Sequence, residues 1–248
     1  MVLAAIDLGI KEYHITEHTP VPNSFLKMLQ PNDGLRESLA MKESEVDRYL
    51  KEMLGLKKKY GQKIQVKVGF EVDYIPGFEG WTQDFLNEYG PYMDTGILSV
   101  HYMKGFDWRC CDYLAEDVIK NLLPYYPSAE AFQEAYYQLM EKAIQAGLGP
   151  YKPRRLGHLT LCNKFKDRIG FGPTQKINAR IESLLRLAKE KNMGLDYNHA
   201  GLFKPDCKET YPPQEIAMSA RLQGIPLIYG SDAHGVADLR RAHTYDKC

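Results

Sequence analysis

The sequence predicts an α/β fold on a mostly parallel sheet, with a polar site at the carboxyl ends of the strands. Two observations carry this expectation. Short, apolar, β-branched runs alternate along the chain with longer amphipathic stretches, the pattern of strand–helix–strand units. Residues with nitrogen or oxygen donors stand at or near the ends of those runs: His18, Glu71, His101, His158, Asp232 and His234. One strand-end histidine says little. Six such residues on five strands point to a metal cluster, because a barrel gathers the ends of distant strands on one face.

Composition narrows the function classes. The 248 residues suit one domain, read here as spanning 1–248. Lys and Arg total 32, as do Asp and Glu, so no basic excess suggests a nucleic-acid partner. No apolar run reaches the roughly 18 residues of a membrane-spanning helix. Residues 1–9 lack the basic start of a secretory signal. The five cysteines include no Cys-x-x-Cys pair, which fits free thiols in a cytoplasmic enzyme better than disulfides or a thiolate zinc site.

Taken in order, residues 1–9 form a short helix closed by Gly9, with no capping residue before it. Lys11 to Thr16 reads as a strand, with His18 just beyond it, before Pro20 and Pro22 stop regular structure. Residues 20–42 read as a long polar loop. Ser44 opens a helix over 45–60, with Val46, Leu50, Met53, Leu54 and Leu56 on its apolar side. Ile64 to Val72 alternates apolar and polar residues as a strand does, with Glu71 at its end. A helix over 78–89 follows, then a buried strand from Ile97 to Val100 that ends on His101. Residues 104–127 read as a loop-rich excursion carrying Trp108, Cys110 and Cys111.

Ser128 starts a helix over 129–146 that stops at Gly147, and Arg155 to Leu161 reads as a strand carrying His158. Thr174 precedes a helix running to about Asn192, and Gly194 to Asn198 is a strand followed by His199. Pro212 and Pro213 open a helix to Gln223. The run Ile225 to Ile228 is expected to be a buried strand leading into Tyr229-Gly230-Ser231-Asp232-Ala233-His234. Asp232 and His234 are two apart, so in extended geometry they face the same way.

Five segments together resemble the successive motifs of the polymerase-and-histidinol-phosphatase (PHP) superfamily, in particular its histidinol-phosphatase branch. They are Ile15-Thr16-Glu17-His18, Gly69-Phe70-Glu71-Val72-Asp73-Tyr74, Leu98-Ser99-Val100-His101, Arg155-Leu156-Gly157-His158-Leu159-Thr160 and Gly230-Ser231-Asp232-Ala233-His234. The resemblance covers essentially the whole chain. It implies a distorted (β/α)7 barrel, a site for up to three divalent metals (zinc, manganese or iron), and hydrolysis of L-histidinol phosphate in histidine biosynthesis. By position, Glu71 would bridge two metals, His101 and His158 would complete the second, Asp232 would bind the first, and His18 and His234 the third.

The superfamily also opens with a strand ending in His-x-His, and this sequence shows none; its first histidine is His14. The first of the seven strands is therefore expected to be absent, with ligands of the first and third metals missing. Two exposed sheet edges, reduced stability and aggregation follow as expectations.

Glu71 and Asp232 are expected to act in catalysis. Arg155, three residues before His158, is expected to join them as a bidentate phosphate clamp. Lys204 and His199 are further candidate substrate contacts, Glu17 a supporting group, and Asp73 scaffold. His14 shares strand parity with His18. The partner expected is a small phosphate ester, with no nucleic acid and no membrane. Two alternatives stand beside this reading. One is another phosphoesterase of the superfamily, acting on a nucleotide or on phosphotyrosine. The other is a non-catalytic metal-binding remnant.

Overall fold

The computed structural model describes residues 1–31 and 39–245. Helix α1 (Val2–Asp7) begins with no side-chain cap and is closed by Gly9 at φ +76°. Strand β1 (Glu12–His18) continues past Thr16, so His18 is its last residue rather than lying beyond it. A turn of 3-10 helix over Glu43–Glu45 leads into helix α2 (Val46–Tyr60). Its entry is fixed by Glu45 Oε2 accepting from the Lys42 amide at 3.1 Å, not by Ser44. Strand β3 (Gln65–Asp73), helix α3 (Glu79–Tyr89) and strand β4 (Thr95–Ser99) follow.

Helix α4 (Ala129–Gln145) is capped as expected by Ser128, whose Oγ accepts from the Ala131 amide at 3.1 Å. Helix α5 (Gln175–Glu190) is capped by Thr174 through the Ile177 amide at 3.2 Å. The chain ends in β8 (Gly194–Asn198), α6 (Gln214–Leu222), β9 (Leu227–Gly230) and α7 (Val236–Tyr245).

With β7 (Arg155–Leu156), the six expected strands form one sheet in the order β1-β3-β4-β7-β8-β9, every neighbouring pair parallel. Chain order and spatial order coincide along this sheet, as in a sheet wound in one direction toward a barrel. Strands β1 and β9 are the two edges, and α1 packs against α7. On β3, Val66, Val68, Phe70 and Val72 are all buried on the face that packs on the helices, where Phe70 meets Tyr49 of α2 and Phe85 of α3; Glu71 and Asp73 alternate with them and face the other way.

Three expectations are corrected. Strand β7 is only Arg155–Leu156, not 155–161: beyond Gly157 the chain turns through a Leu161 amide to His158 carbonyl bond of 2.8 Å into a 3-10 turn over Leu161–Asn163. Strand β9 lies two residues later than expected and is half-exposed, not buried, because it pairs on one side only. The segments 20–42 and 104–127 also carry structure that their polar composition hid. A helical turn at Asn23–Leu26 precedes β2 (Leu29–Gln30), and β2 pairs with β6 (Trp108–Cys110), the antiparallel partner of β5 (Tyr102–Lys104). Residues 32–38 of the expected loop lie outside the described residues.

This small sheet has its own apolar centre. Phe25 meets the rings of Phe78, Tyr102 and Trp108 edge-on, with centroids 5.5, 5.0 and 5.3 Å away. Phe25→Ala is expected to cost about 3–5 kcal/mol. Urea unfolding checks this, and a cost below about 1 kcal/mol would show that the second sheet does not rest on this ring.

Candidate metal centre

The parallel register brings the chemistry together. His18 pairs with Glu71 across β1 and β3, and Asp73 with Ser99 across β3 and β4. Glu71 and Asp73, two apart on one strand, project to the same side. Glu71 Oε1 accepts from Ser99 Oγ at 2.6 Å and from His158 Nε2 at 2.9 Å, and lies 3.6 Å from His101 Nε2. Its Oε2 is 3.9 Å from His18 Nε2. Asp73 Oδ1 accepts from His101 Nδ1 at 2.6 Å, and its Oδ2 is 3.8 Å from His18 Nδ1. A Cβ at residue 157 would overlap Ser99 Oγ, so Gly157 is what lets that hydroxyl reach Glu71.

Two carboxylates thus face three imidazoles in a site that excludes most water. Burial pushes the Glu71 carboxyl up, but His18, His158 and His101 outweigh it and hold it well below the usual carboxylate range. Asp73 is lowered against the same burial cost, first by His101. Burial pushes His18 and His101 down, yet Glu71 and Asp73 raise them to about 10 and about 9.

The donor set fits divalent metal. Two groups, His18 with Asp73 and His101, and Glu71 with His101 and His158, each hold their donor atoms within 4.8 Å of one another. His18 Nδ1, Asp73 Oδ2 and His158 Nδ1 are buried with no hydrogen-bond partner, the condition a cation would relieve. His101 donates from Nδ1 to Asp73 Oδ1, which leaves Nε2, 3.6 Å from Glu71 Oε1, as the atom a cation would take, the usual way a ligand histidine is oriented. Carboxylate oxygen with imidazole nitrogen suits zinc, manganese or ferrous iron.

Above this floor lies a cavity of about 360 Å³, a size that suits a small molecule. Tyr102, Cys110, Tyr113, Leu39 and Leu161 supply its less polar walls, and Asp112, Lys164 and Lys204 its charged ones. Lys164 Nζ donates to Asp112 Oδ2 at 2.9 Å and to the Asp112 carbonyl at 2.5 Å. Burial pushes this ammonium down, but Asp112 more than compensates, so Lys164 stays cationic.

Of the six expected metal residues, the structure clusters His18, Glu71, His101 and His158. Asp232 and His234 line the cavity but lie outside both donor groups among the described residues. The expectation of one extended face fails because β9 ends at Gly230 and Asp232 adopts a left-handed backbone, φ +48°. The His234 side chain is 73% exposed, with Nδ1 3.0 Å from the Asp232 carbonyl.

Of the expected substrate contacts, only Lys204 lines the cavity. Arg155 is buried behind it, donating to Asp196 and to the Tyr229 carbonyl, so a role as phosphate clamp is not supported. His199 is buried between the rings of Tyr197 and Tyr229, each 4.8 Å away, instead of facing a substrate. His14 is engaged by Glu12 and Thr95, below the site. Glu17 lines the cavity, and its carboxylate accepts from the His18 amide at 3.0 Å.

Three charged residues of the site went unread in the sequence as functional groups. Asp73 carried a usable signal, its spacing of two from Glu71. Asp112 and Lys164 sit in loops and carried none.

A parallel sheet whose strand ends hold clustered carboxylates and imidazoles under a small cavity defines a metal-dependent barrel hydrolase. The family described as PHP domain matches residues 1–200, and the chain belongs to it. A Bacillus subtilis histidinol-phosphatase is 37% identical over 240 residues, covering 96% of this chain and 87% of that one. A Deinococcus radiodurans protein described as a probable histidinol-phosphatase is 28% identical over 93% of this chain and 77% of its own length.

Among solved structures, a Listeria monocytogenes protein assigned as a histidinol phosphatase superposes with a TM-score of 0.96. It is 41% identical and covers 99% of this chain and 92% of its own. The Lactococcus lactis histidinol phosphate phosphatase, solved with zinc, L-histidinol and phosphate, gives a TM-score of 0.62 at 18% identity over 98% of this chain and 85% of its own. That likeness speaks for the fold alone.

Asp73→Ala removes the group that orients His101. Titration calorimetry with manganese or zinc is expected to show affinity reduced about 10–100-fold. Unchanged affinity would show that Asp73 plays no such part.

Proposed function

We propose that this chain hydrolyses L-histidinol phosphate to histidinol and phosphate, as a metal-dependent phosphomonoesterase of histidine biosynthesis. The observation that carries the reading is the Glu71–Asp73 pair facing His18, His101 and His158 at the floor of a small cavity with lysines in its wall. The substrate follows from the Bacillus subtilis relative, a histidinol-phosphatase whose likeness spans nearly the whole chain. A cavity of about 360 Å³ supports a small ester over a polynucleotide or a folded phosphoprotein.

Glu71, His101 and His158 would hold one divalent cation, and His18, Asp73 and His101 offer the adjoining donor group. Such cations supply positive charge to the phosphoryl oxygens and acidify the attacking water. The chain's own residues supply the rest. Lys164, kept charged by Asp112, and Lys204 bind the non-bridging phosphate oxygens from the wall. Asp232 and His234 stand at the rim, where a proton can pass to the leaving alkoxide. Tyr102, Tyr113 and Leu161 pack against the organic part of the ester and limit water. The four described cysteines are all free, which supports a reducing compartment such as the cytoplasm.

With manganese or zinc added, the chain is expected to release phosphate from L-histidinol phosphate, and Glu71→Gln to lose at least about 10²-fold in kcat. Lys164→Ala is expected chiefly to raise KM. A folded, metal-loaded chain that leaves the ester intact would overturn the assignment. Chelation by EDTA is expected to lower the melting temperature and abolish turnover, since a cation bound at 100 times its Kd adds about 2.7 kcal/mol of stability.

A further inference from the structure

Arg155 is buried, charged, three residues from His158, and unused by the chemistry above. We propose that it is a positioning residue: through its ion pair with Asp196 it holds the Asp232–His234 segment, carried by edge strand β9, in register with His158. The proposal rests on the reading of the cavity as a phosphomonoesterase site.

The geometry is that of a cross-strand tie. Arg155 lies on β7, Asp196 on β8 and Tyr229 on β9, three adjacent strands of the sheet. One guanidinium nitrogen, Nη2, donates both to Asp196 Oδ1 and to the Tyr229 carbonyl, the latter at 3.0 Å. One side chain thus stitches three strands, starting three residues before His158 and ending three residues before Asp232.

The carboxylate is itself fixed. Asp196 Oδ2 accepts from Asn198 Nδ2 at 3.0 Å, and Asn198 Oδ1 accepts from the Ala200 amide at 2.9 Å. The end of β9 packs directly on the pair: a Cβ at residue 230 would overlap Asp196 Oδ1 and come within 3.0 Å of Arg155 Nη2, so only Gly230 fits.

Strand β9 needs such a tie. It pairs with β8 alone, over four residues, and Tyr229 is 42% exposed. Two residues beyond Gly230 the chain must hold Asp232 at φ +48°, which a non-glycine residue adopts only when its surroundings impose it. Near that bend the Gly230 carbonyl accepts from the His199 amide at 2.8 Å, and the Tyr229 carbonyl is tied past β8 to Arg155 on β7.

The test compares the full chain with Arg155→Gln and Arg155→Lys, reading steady-state kinetics on L-histidinol phosphate and amide hydrogen exchange. For Arg155→Gln, kcat is expected to fall at least about tenfold. KM and inhibition by inorganic phosphate should hold, while exchange quickens at 229–234 more than elsewhere. Arg155→Lys, which keeps a cation able to reach Asp196 and the carbonyl, is expected to recover much of both.

Raised KM with weakened phosphate inhibition would overturn the proposal in favour of a phosphate clamp. Unchanged kcat and exchange would overturn it outright. If Arg155→Gln does not fold, the neutral pair Arg155→Met with Asp196→Leu replaces it, and wild-type kcat and exchange in that variant would also overturn the proposal. If the parent chain itself shows no turnover, the reading of the site fails, while the exchange data still decide whether Arg155 holds the segment.

Discussion

The structure depends on keeping one ionised carboxylate, Glu71, in the interior. Taking a carboxylate out of water costs several kcal/mol unless its lone pairs find partners and its charge is met. Here both conditions hold: Ser99 and His158 donate to it, and His101 and His18 stand within 4 Å. These partners come from β1, from β4 and the loop after it, and from the turn after β7. The carboxylate therefore ties the fold to one strand order and one register. A one-residue slip of β1 against β3 would turn His18 to the other side of the sheet and remove the strongest of the charges that hold Glu71 ionised.

The same arrangement links metal affinity to folding. Asp73 is as buried as Glu71 and is shared between His101 and His18, so each ring answers to more than one carboxylate. Atoms without a hydrogen bond remain at His18 Nδ1, Asp73 Oδ2 and His158 Nδ1. In a low-dielectric interior such orphans are costly, and a cation that engages them recovers part of that cost. The Lys164–Asp112 pair in the wall differs in kind. Its two groups satisfy each other and leave the ammonium charged toward the cavity, where an anionic substrate can share it.

Much of this was legible in the sequence, for identifiable reasons. The strands of the main sheet were readable where burial leaves apolar positions at strand spacing between helical stretches, as in Ile64 to Val72 or Ile97 to Val100. Two helix starts were readable from Ser128 and Thr174, whose hydroxyls cap them. The small second sheet was not readable: its strands are two or three residues long, and Phe25, Tyr102 and Trp108 meet only through tertiary packing.

Four of the six proposed ligands cluster: His18 and Glu71 stand opposite each other in the β1–β3 register, and His101 and His158 follow β4 and β7 by two residues each. Asp232 and His234 do not, since extended parity says nothing once the backbone turns left-handed. Arg155 lies in the sheet, paired with Asp196 and not lining the cavity. Nearness to His158 along the chain does not reveal which way a side chain leaves a two-residue strand.

The contrast between the two edge strands explains why a buried ion pair belongs beside β9. Strand β1 is held to β3 over seven residues, so the ladder alone fixes His18. Strand β9 has four paired residues before the bend that carries Asp232. A buried Arg–Asp pair is weak evidence for stability, because apolar residues of similar volume often serve a core as well or better. What apolar packing lacks is direction. The guanidinium must meet a carboxylate on one strand and a carbonyl on the next, which leaves the end of β9 one position relative to β7. A site assembled from both a well-paired floor and a lightly paired rim needs that directional constraint where its ladder is shortest.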